Sequence, residues 1–327
     1  MSARVMRTSA GVRLNVEIDG AEDAPVTVIL AHGWTLDSRS WAPVASALTA
    51  SQRPLARVIR YDHRAHGRSD SVARADMTIE ALADDLAEVI SQLAPTGPLV
   101  LGGHSMGGMA VMALAEQHPE LVAERVAGVA LVSTAAGGLA DTTLGLSESM
   151  LRLVRRGEAK LADAAWVDRR AMLSRRPRVI APAARALLIG PGADRGAVMA
   201  TARSLASCRP ATMVGFRPTL NAHERHAALA AFAHIPVEVS VGTRDKLTPV
   251  GQSRRIVASL ETAQLNVYPG AGHMLPLERV AGVSAKLAGL VSRAGQRVER
   301  AEPVAPETRS AERDSGQSSV VHHGEVS

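Results

Sequence analysis

Short apolar runs alternate with amphipathic stretches along most of the chain. Val26–Ala31 (VTVILA) is almost continuously apolar and ends at His32-Gly33, as expected of a strand covered on both faces. Arg57–Asp62 (RVIRYD) reads as a second strand, followed by the polar loop His63–Asp70. Ile79, Leu82, Leu86, Val89 and Leu93 recur at three- and four-residue steps, which predicts one buried helix face, with Asp76 or Thr78 as cap and Glu80 in the first turn. Pro98–Gly102 leads through another apolar run into Gly103-His104-Ser105-Met106-Gly107-Gly108. A helix with Met109, Met112, Ala113 and Leu114 then follows, stopped by His118-Pro119. Val126–Ser133, Val237–Gly242 and Gln264–Tyr268 supply three more strands, with a helix from about Val250 to Leu260 between the last two. Alternation of this kind predicts an α/β fold, a mostly parallel sheet with helices on both faces.

Two segments break the alternation. Residues 135–234 carry no strand pattern, only helical stretches punctuated by Pro177, Pro182, Pro191, Pro210 and Pro218. Lying between two strands of one sheet, they read as a helical insertion, or lid, and leave 1–134 and 235–294 as the core. From about Gly295 the chain is polar and has no apolar periodicity, so 295–327 reads as a disordered tail.

Composition sharpens this picture in two places. The 327 residues are 46% hydrophobic and 21% charged, a globular balance, with a formal net charge of +5. A basic excess raises the question of nucleic acid or an anionic surface. Residues 141–234, however, hold 14 Arg and one Lys against seven acids, while the tail 295–327 is net negative, so the excess belongs to the insertion. Aromatics are only 2%, and no basic tract is interleaved with them to stack bases, which argues against nucleic acid. The basic insertion would instead accommodate a small-molecule partner that is anionic or lipid-like.

A lone cysteine, Cys208, leaves neither an intrachain disulfide nor a cysteine-rich zinc site, which fits a reducing cytoplasm. The first twenty residues contain no signal-like apolar run, and the longest apolar stretches fall well short of the ~18 residues of a membrane span. The expectation is a cytoplasmic chain without stable membrane insertion.

The chemistry concentrates around Gly103-His104-Ser105-Met106-Gly107. A G-x-S-x-G string between an apolar strand and a helix rich in small residues is the setting in which a serine sits on a tight, strained turn with its Oγ exposed. A serine hydroxyl needs a base. His273, on the glycine-rich loop Pro269–Met274 after the last strand, lies at the same C-terminal sheet edge, where open α/β folds place their ligands. His104, next to Ser105, should point away from the catalytic face. Asp245, in Gly242-Thr243-Arg244-Asp245-Lys246 after the preceding strand, is the carboxylate that would orient His273, giving the chain order Ser105, Asp245, His273. The oxyanion needs two N–H donors; Met106, after the nucleophile, and Trp34, in His32-Gly33-Trp34, are the candidates. Trp34 and Met274 are candidate substrate contacts in a pocket that the shortage of aromatics predicts to be aliphatic and methionine-lined. No cofactor or metal is called for. His223-Glu224-Arg225-His226 is one residue short of a zinc-protease motif, and His63 and His66 read as parts of a loop held by Asp62 and Arg64.

Taken together, His32–Trp34, Asp62–Ser69, Gly103–Gly108, Gly242–Asp245 and Gly270–His273 resemble the α/β-hydrolase superfamily, in its lidded esterase/lipase-like branch, over about Val12 to Ala294. Ala65 departs from the family's common R-G-H-G-x-S form, in which glycine stands at that position, a change expected to be tolerated. A serine at 105 disfavours the relatives whose nucleophile is a carboxylate. The resemblance implies a serine hydrolase that cleaves a carboxylic ester or thioester through an acyl-enzyme. The same machinery would serve C–C bond hydrolysis, perhydrolysis or acyl transfer, and a non-catalytic binding protein on this scaffold is the remaining alternative.

Overall fold

The computed structural model describes residues 2–50, 56–139 and 176–301. Eight strands form one sheet: β1 (Ser2–Arg7), β2 (Arg13–Asp19), β3 (Val26–Ala31), β4 (Ala56–Tyr61), β5 (Leu99–His104), β6 (Val126–Val132), β7 (Val237–Gly242) and β8 (Ala263–Tyr268). Their spatial order is β1-β2-β4-β3-β5-β6-β7-β8. The strands from β4 to β8 pair in parallel, while β1 with β2 and β2 with β4 are antiparallel. The sheet is therefore mostly parallel, as the alternation predicts.

The period-two geometry of the central strands sorts their side chains into two cores. Ile29, Ile59, Leu101, Val129 and Leu131 face α2 (Ile79–Leu93) and α3 (Met106–Gln117). Val28, Leu30, Val58, Val100 and Val132 face the other side, against α1 (Ala42–Thr49) and the C-terminal helix over Val280–Ala301. With both faces covered, alternation disappears and the strands become the continuous apolar runs seen in the sequence. Thr78 caps α2, its hydroxyl accepting the Ala81 N–H. After α3 a short helix, α4 (Pro119–Arg125), restarts with proline at its first position, where the missing N–H costs nothing.

Two features differ from the sequence expectation. The N-terminal hairpin β1–β2 was not anticipated: β1 exposes all but Met6, so it carries no apolar signal, while β2 buries Leu14, Val16 and Ile18 on alternate positions. Residues 295–301, expected to belong to a disordered tail, are helical, because the last helix runs on to Ala301. Its buried stripe Val283, Leu287, Leu290, Val291 and Ala294 stops at Ala294, but the following Gln, Arg and Glu residues are good helix formers and continue the backbone ladder. Between β6 and β7 the described part of the insertion is helical, with α5 (Pro177–Leu188), α6 (Arg195–Ser207) and α7 (Pro210–Asn221). Residues 140–175, within the expected lid, and 302–327, within the expected tail, lie outside the described residues. The remaining helices are α8 (Val250–Ala258), α9 (Leu275–Glu278) and α10, the last one.

Among the described residues four non-glycine residues adopt positive φ: Thr35 (64°), Ala65 (62°), Ser105 (53°) and Ser133 (47°). They follow β3, β4, β5 and β6, four adjacent parallel strands, so the strain gathers at one sheet edge, as it does at functional sites. Ala65 stands where the resembled family carries glycine; its left-handed backbone explains that preference, and its methyl is buried in the core.

The β5–α3 joint tolerates no side chain at its glycines. A Cβ on Gly107 would meet the Ala31 and His32 carbonyls, and one on Gly103 would meet the Gly108 backbone at 2.5 Å. Gly107→Ala is therefore expected to cost about 2 kcal/mol or more, seen as a lower urea midpoint with unchanged m. Gly251→Ala, in α8 with open space around it, is expected to stabilise by about 0.5–1 kcal/mol.

Candidate active site

Ser105 occupies the turn between β5 and α3 with φ 53° and ψ −117°. Its N–H donates to the Val132 carbonyl (3.0 Å). Its own carbonyl accepts from Gly108 N–H (2.9 Å), Met109 N–H (3.2 Å) and the Thr134 hydroxyl (2.8 Å). The strained conformation is thus held from both sides. Met106 is the first residue of α3, where a backbone N–H has no intrahelical acceptor.

Asp245 and His273 meet across the ends of β7 and β8. The His273 Nδ1–H lies 3.0 and 2.9 Å from the two Asp245 carboxylate oxygens, both residues being buried. Asp245 further accepts from Leu247 N–H and Thr248 N–H (2.9 Å each) and from the Thr248 hydroxyl (2.9 Å). Burial alone would raise its carboxyl pKa, but the His273 ring and these donors outweigh it and hold the group below the usual carboxylate range. The His273 backbone is fixed as well. Its N–H donates to the Leu188 carbonyl (2.7 Å) and its carbonyl accepts the His104 Nε2–H (2.8 Å). The Glu278 carboxylate gathers the N–H groups of Gly190, Gly272 and Met274 at 2.7, 2.9 and 3.0 Å, tying the loop before His273 to the insertion.

Ser105 and His273 open onto one cavity of about 200 Å³. Trp34 and Met274, the candidate substrate contacts, line it, and Leu36, Leu187, Leu205 and Met213 add an aliphatic wall. Arg217 stacks its guanidinium over the Trp34 ring, 5.6 Å from the centroid. His104 also reaches this lining, so it does not turn away from the catalytic side as expected. The bend at Ser105 lets its ring slide beneath the His273 backbone, 5.0 Å from the His273 ring. Glu278, Thr248 and His104 were not singled out in the sequence as supports. Thr248, three residues after Asp245, fits a local side-chain-to-backbone turn that was legible in principle; Glu278 carries no such signal.

A cluster of buried histidines lies behind the Trp34 loop. The His32 Nε2 accepts the His63 N–H (3.0 Å), which leaves its proton on Nδ1, donated to the Gly33 carbonyl (2.8 Å). The His66 Nε2 accepts the Thr35 N–H (3.3 Å) and its Nδ1–H donates to the Arg64 carbonyl (3.0 Å). The His63 Nε2–H donates to the His32 carbonyl (3.0 Å). Both His63 and His66 are therefore engaged with backbone. Asp62 accepts from Ser38 N–H (2.7 Å), Arg68 N–H (2.9 Å) and Asn15 Nδ2 (3.1 Å), and Arg64 pairs with buried Asp85 at 2.7 Å, as the loop reading expected. In the His223–His226 segment, Arg225 bridges Glu80 and Glu116 while His223 bonds the Ala135 carbonyl (3.1 Å). Among the described residues no cluster of His, Cys, Asp or Glu is arranged to hold a metal ion, and no helix is long and apolar enough to cross a membrane.

Burial pushes the histidine pKa values down, to about 3 for His66 and for His104 and about 4 for His223. Unfolded, these rings titrate near 6.5, so between that value and about 3 the unfolded chain binds more protons. Their contribution to stability is complete above about pH 6.5 and drains away as pH falls toward 3. The expected outcome is a melting temperature that falls steeply on acidification, with a shallower slope in His66→Gln.

The alpha/beta hydrolase fold family matches residues 26–280 of the chain. A monoacylglycerol lipase from Mycolicibacterium smegmatis is 29% identical over 271 residues, covering 80% of this chain and 86% of the relative. A pimeloyl-[acyl-carrier protein] methyl ester esterase from Chromobacterium violaceum is 28% identical over 260 residues, covering 80% and 91%. Among solved structures, the esterase RhEst1 from Rhodococcus sp. ECU1013 aligns with a TM-score of 0.69 at 25% identity, covering 89% of this chain and 99% of that one. With the sheet order, the strained serine turn and the match over most of its length in agreement, the chain belongs to the alpha/beta hydrolase fold family.

Proposed function

We propose that this chain is a serine hydrolase of the carboxylesterase and lipase type that cleaves a carboxylic ester or thioester through an acyl-enzyme. The observation that carries the reading is the buried Asp245–His273 pair opening onto the same aliphatic cavity as the strained Ser105. In this reading His273 takes the proton as the Ser105 Oγ attacks the ester carbonyl, and returns it to the leaving alcohol. Asp245 holds the His273 tautomer with its proton on Nδ1 and stabilises the imidazolium that forms. Water activated by His273 then releases the acid. No redox or group-carrier chemistry enters these steps. The aliphatic wall favours an apolar acyl group. The helical insertion over α5–α7, which supplies Leu187, Leu205 and Met213 to that wall, is assigned the role of lid.

The developing oxyanion is assigned to the N–H groups of Met106 and Trp34. Support for the second comes from the histidine cluster. The Gly33 carbonyl and the Trp34 N–H belong to one planar peptide, so the bond from His32 Nδ1–H to that carbonyl decides which way the N–H faces. Burial lowers the His32 pKa and so keeps the ring neutral, which leaves its Nε2 able to accept from His63. His32 is thereby a positioning residue, acting through Trp34.

Ser105→Ala is expected to abolish p-nitrophenyl ester turnover and labelling by a fluorophosphonate probe while the circular dichroism spectrum stays unchanged. Undiminished turnover would refute the assignment. Asp245→Asn is expected to lower kcat by about 10⁴-fold through loss of the correct His273 tautomer. His32→Ala is expected to lower kcat by about 10²–10³-fold with KM little changed, the pattern of a lost oxyanion donor, and an equal effect on KM alone would count against it.

A further inference from the structure

A second cavity, of about 460 Å³, borders the first, and Leu187 lines both. Its charge is one-sided: Arg185, Arg244 and Lys246 all line it, and among the described residues no carboxylate does. Among the described residues none of the three forms a salt bridge, although Arg185 and Lys246 are anchored through backbone carbonyls. The Arg185 guanidinium donates to the Pro191 carbonyl (3.0 Å) and the Lys246 ammonium to the Ala186 carbonyl (2.8 Å). These bonds bring a cation of the β7–α8 loop and a cation of α5 to the same opening while leaving N–H donors unused on each. Ala186, Leu187, Ile189 and Pro191 form the rest of the wall, so the three cations share one concave, solvent-open opening where their fields add.

The local sequence makes the link to catalysis tight. In Arg244-Asp245-Lys246-Leu247, Asp245 holds His273, Leu247 lines the catalytic cavity, and the cations on either side of Asp245 line the neighbouring one. Asp245 is buried and its oxygens are committed to His273, Leu247 and Thr248, so it does not neutralise the two cations beside it. The cavity at Ser105 is apolar apart from Thr35, Ser105 and two histidines, and among the described residues no Arg, Lys, Asp or Glu lines it to meet a second charge. A molecule that places an ester at Ser105 and carries an anionic group must set that group outside the aliphatic wall, and Leu187 is the rim it would cross.

We propose that Arg185, Arg244 and Lys246 form an anion subsite, and that the substrate is a small ester bearing a carboxylate or phosphate at the end remote from the scissile bond. This rests on the ester-hydrolase reading above and narrows it to a substrate class.

Binding of three uncleaved ligands to Ser105→Ala, by titration calorimetry, separates the two claims. The ligands share one ester and one aliphatic spacer, and end in a carboxylate, a phosphate or a neutral amide. The anionic ligands are expected to bind about tenfold tighter than the amide at low salt, and the ratio should shrink in about 0.5 M NaCl as the charges are screened. A larger ratio for phosphate than for carboxylate would identify the anion. In Arg185→Gln/Arg244→Gln/Lys246→Gln on the same background the ratio is expected to fall to about one, whereas Arg185→Lys/Arg244→Lys, which keeps the charge, retains most of it. Equal binding of all three ligands, a ratio unchanged in the triple variant, or no binding by any of them overturns the subsite. Turnover of the amide-tailed ester by the chain with Ser105 intact is read separately. If it is absent while the binding ratio persists, the subsite stands and the hydrolase reading fails.

Discussion

Everything at the catalytic edge depends on how closely β5, its turn and α3 are pressed together. Ser105 stays in a left-handed conformation that costs on the order of 1–2 kcal/mol because its neighbours allow no relaxed alternative. Its carbonyl is held by three donors, its N–H is held by β6, and the glycines beside it bring α3 against β3 with no space for a side chain. The same closeness sets the first turn of α3 against the end of β3, so one packing contact fixes the Ser105 turn and the start of the His32–Trp34 loop together. The two cores on either face of the sheet supply the rigidity that this arrangement requires.

Burial does the remaining electrostatic work, and it acts in opposite senses on different groups. Around Trp34 it keeps histidines neutral, which lets rings serve as hydrogen-bond acceptors for backbone N–H groups as well as donors. At Asp245 it is opposed by an imidazole and three further donors, so a charge survives in a site almost closed to water. The chain thus separates a neutral scaffold, built from His32, His63 and His66, from the buried carboxylate that pairs with His273, while Arg185, Arg244 and Lys246 stay exposed.

The fold was largely legible because a doubly covered parallel sheet writes its strands as plain apolar runs. Val26–Ala31 and Val237–Gly242 have the bounds the pattern predicts. The hairpin at the N-terminus was not legible, since β1 packs through Met6 alone and an exposed edge strand carries no alternation. The last helix outran its apolar stripe for a related reason: propensity, which leaves no periodic mark, carried it on to Ala301. At the site, Ser105, Asp245 and His273 could be read because each sits at a strand end with a distinctive turn. His104 and Glu278 could not, because they act on backbone atoms brought close only by the fold.

The hydrogen bond from His273 N–H to the Leu188 carbonyl joins the end of α5 to the catalytic loop. Lifting that end of the helix would strand a buried N–H and release the loop that carries His273. Any widening of the cavity that keeps this bond must therefore pivot elsewhere in the insertion, with Leu188 as the fixed doorpost and not the door.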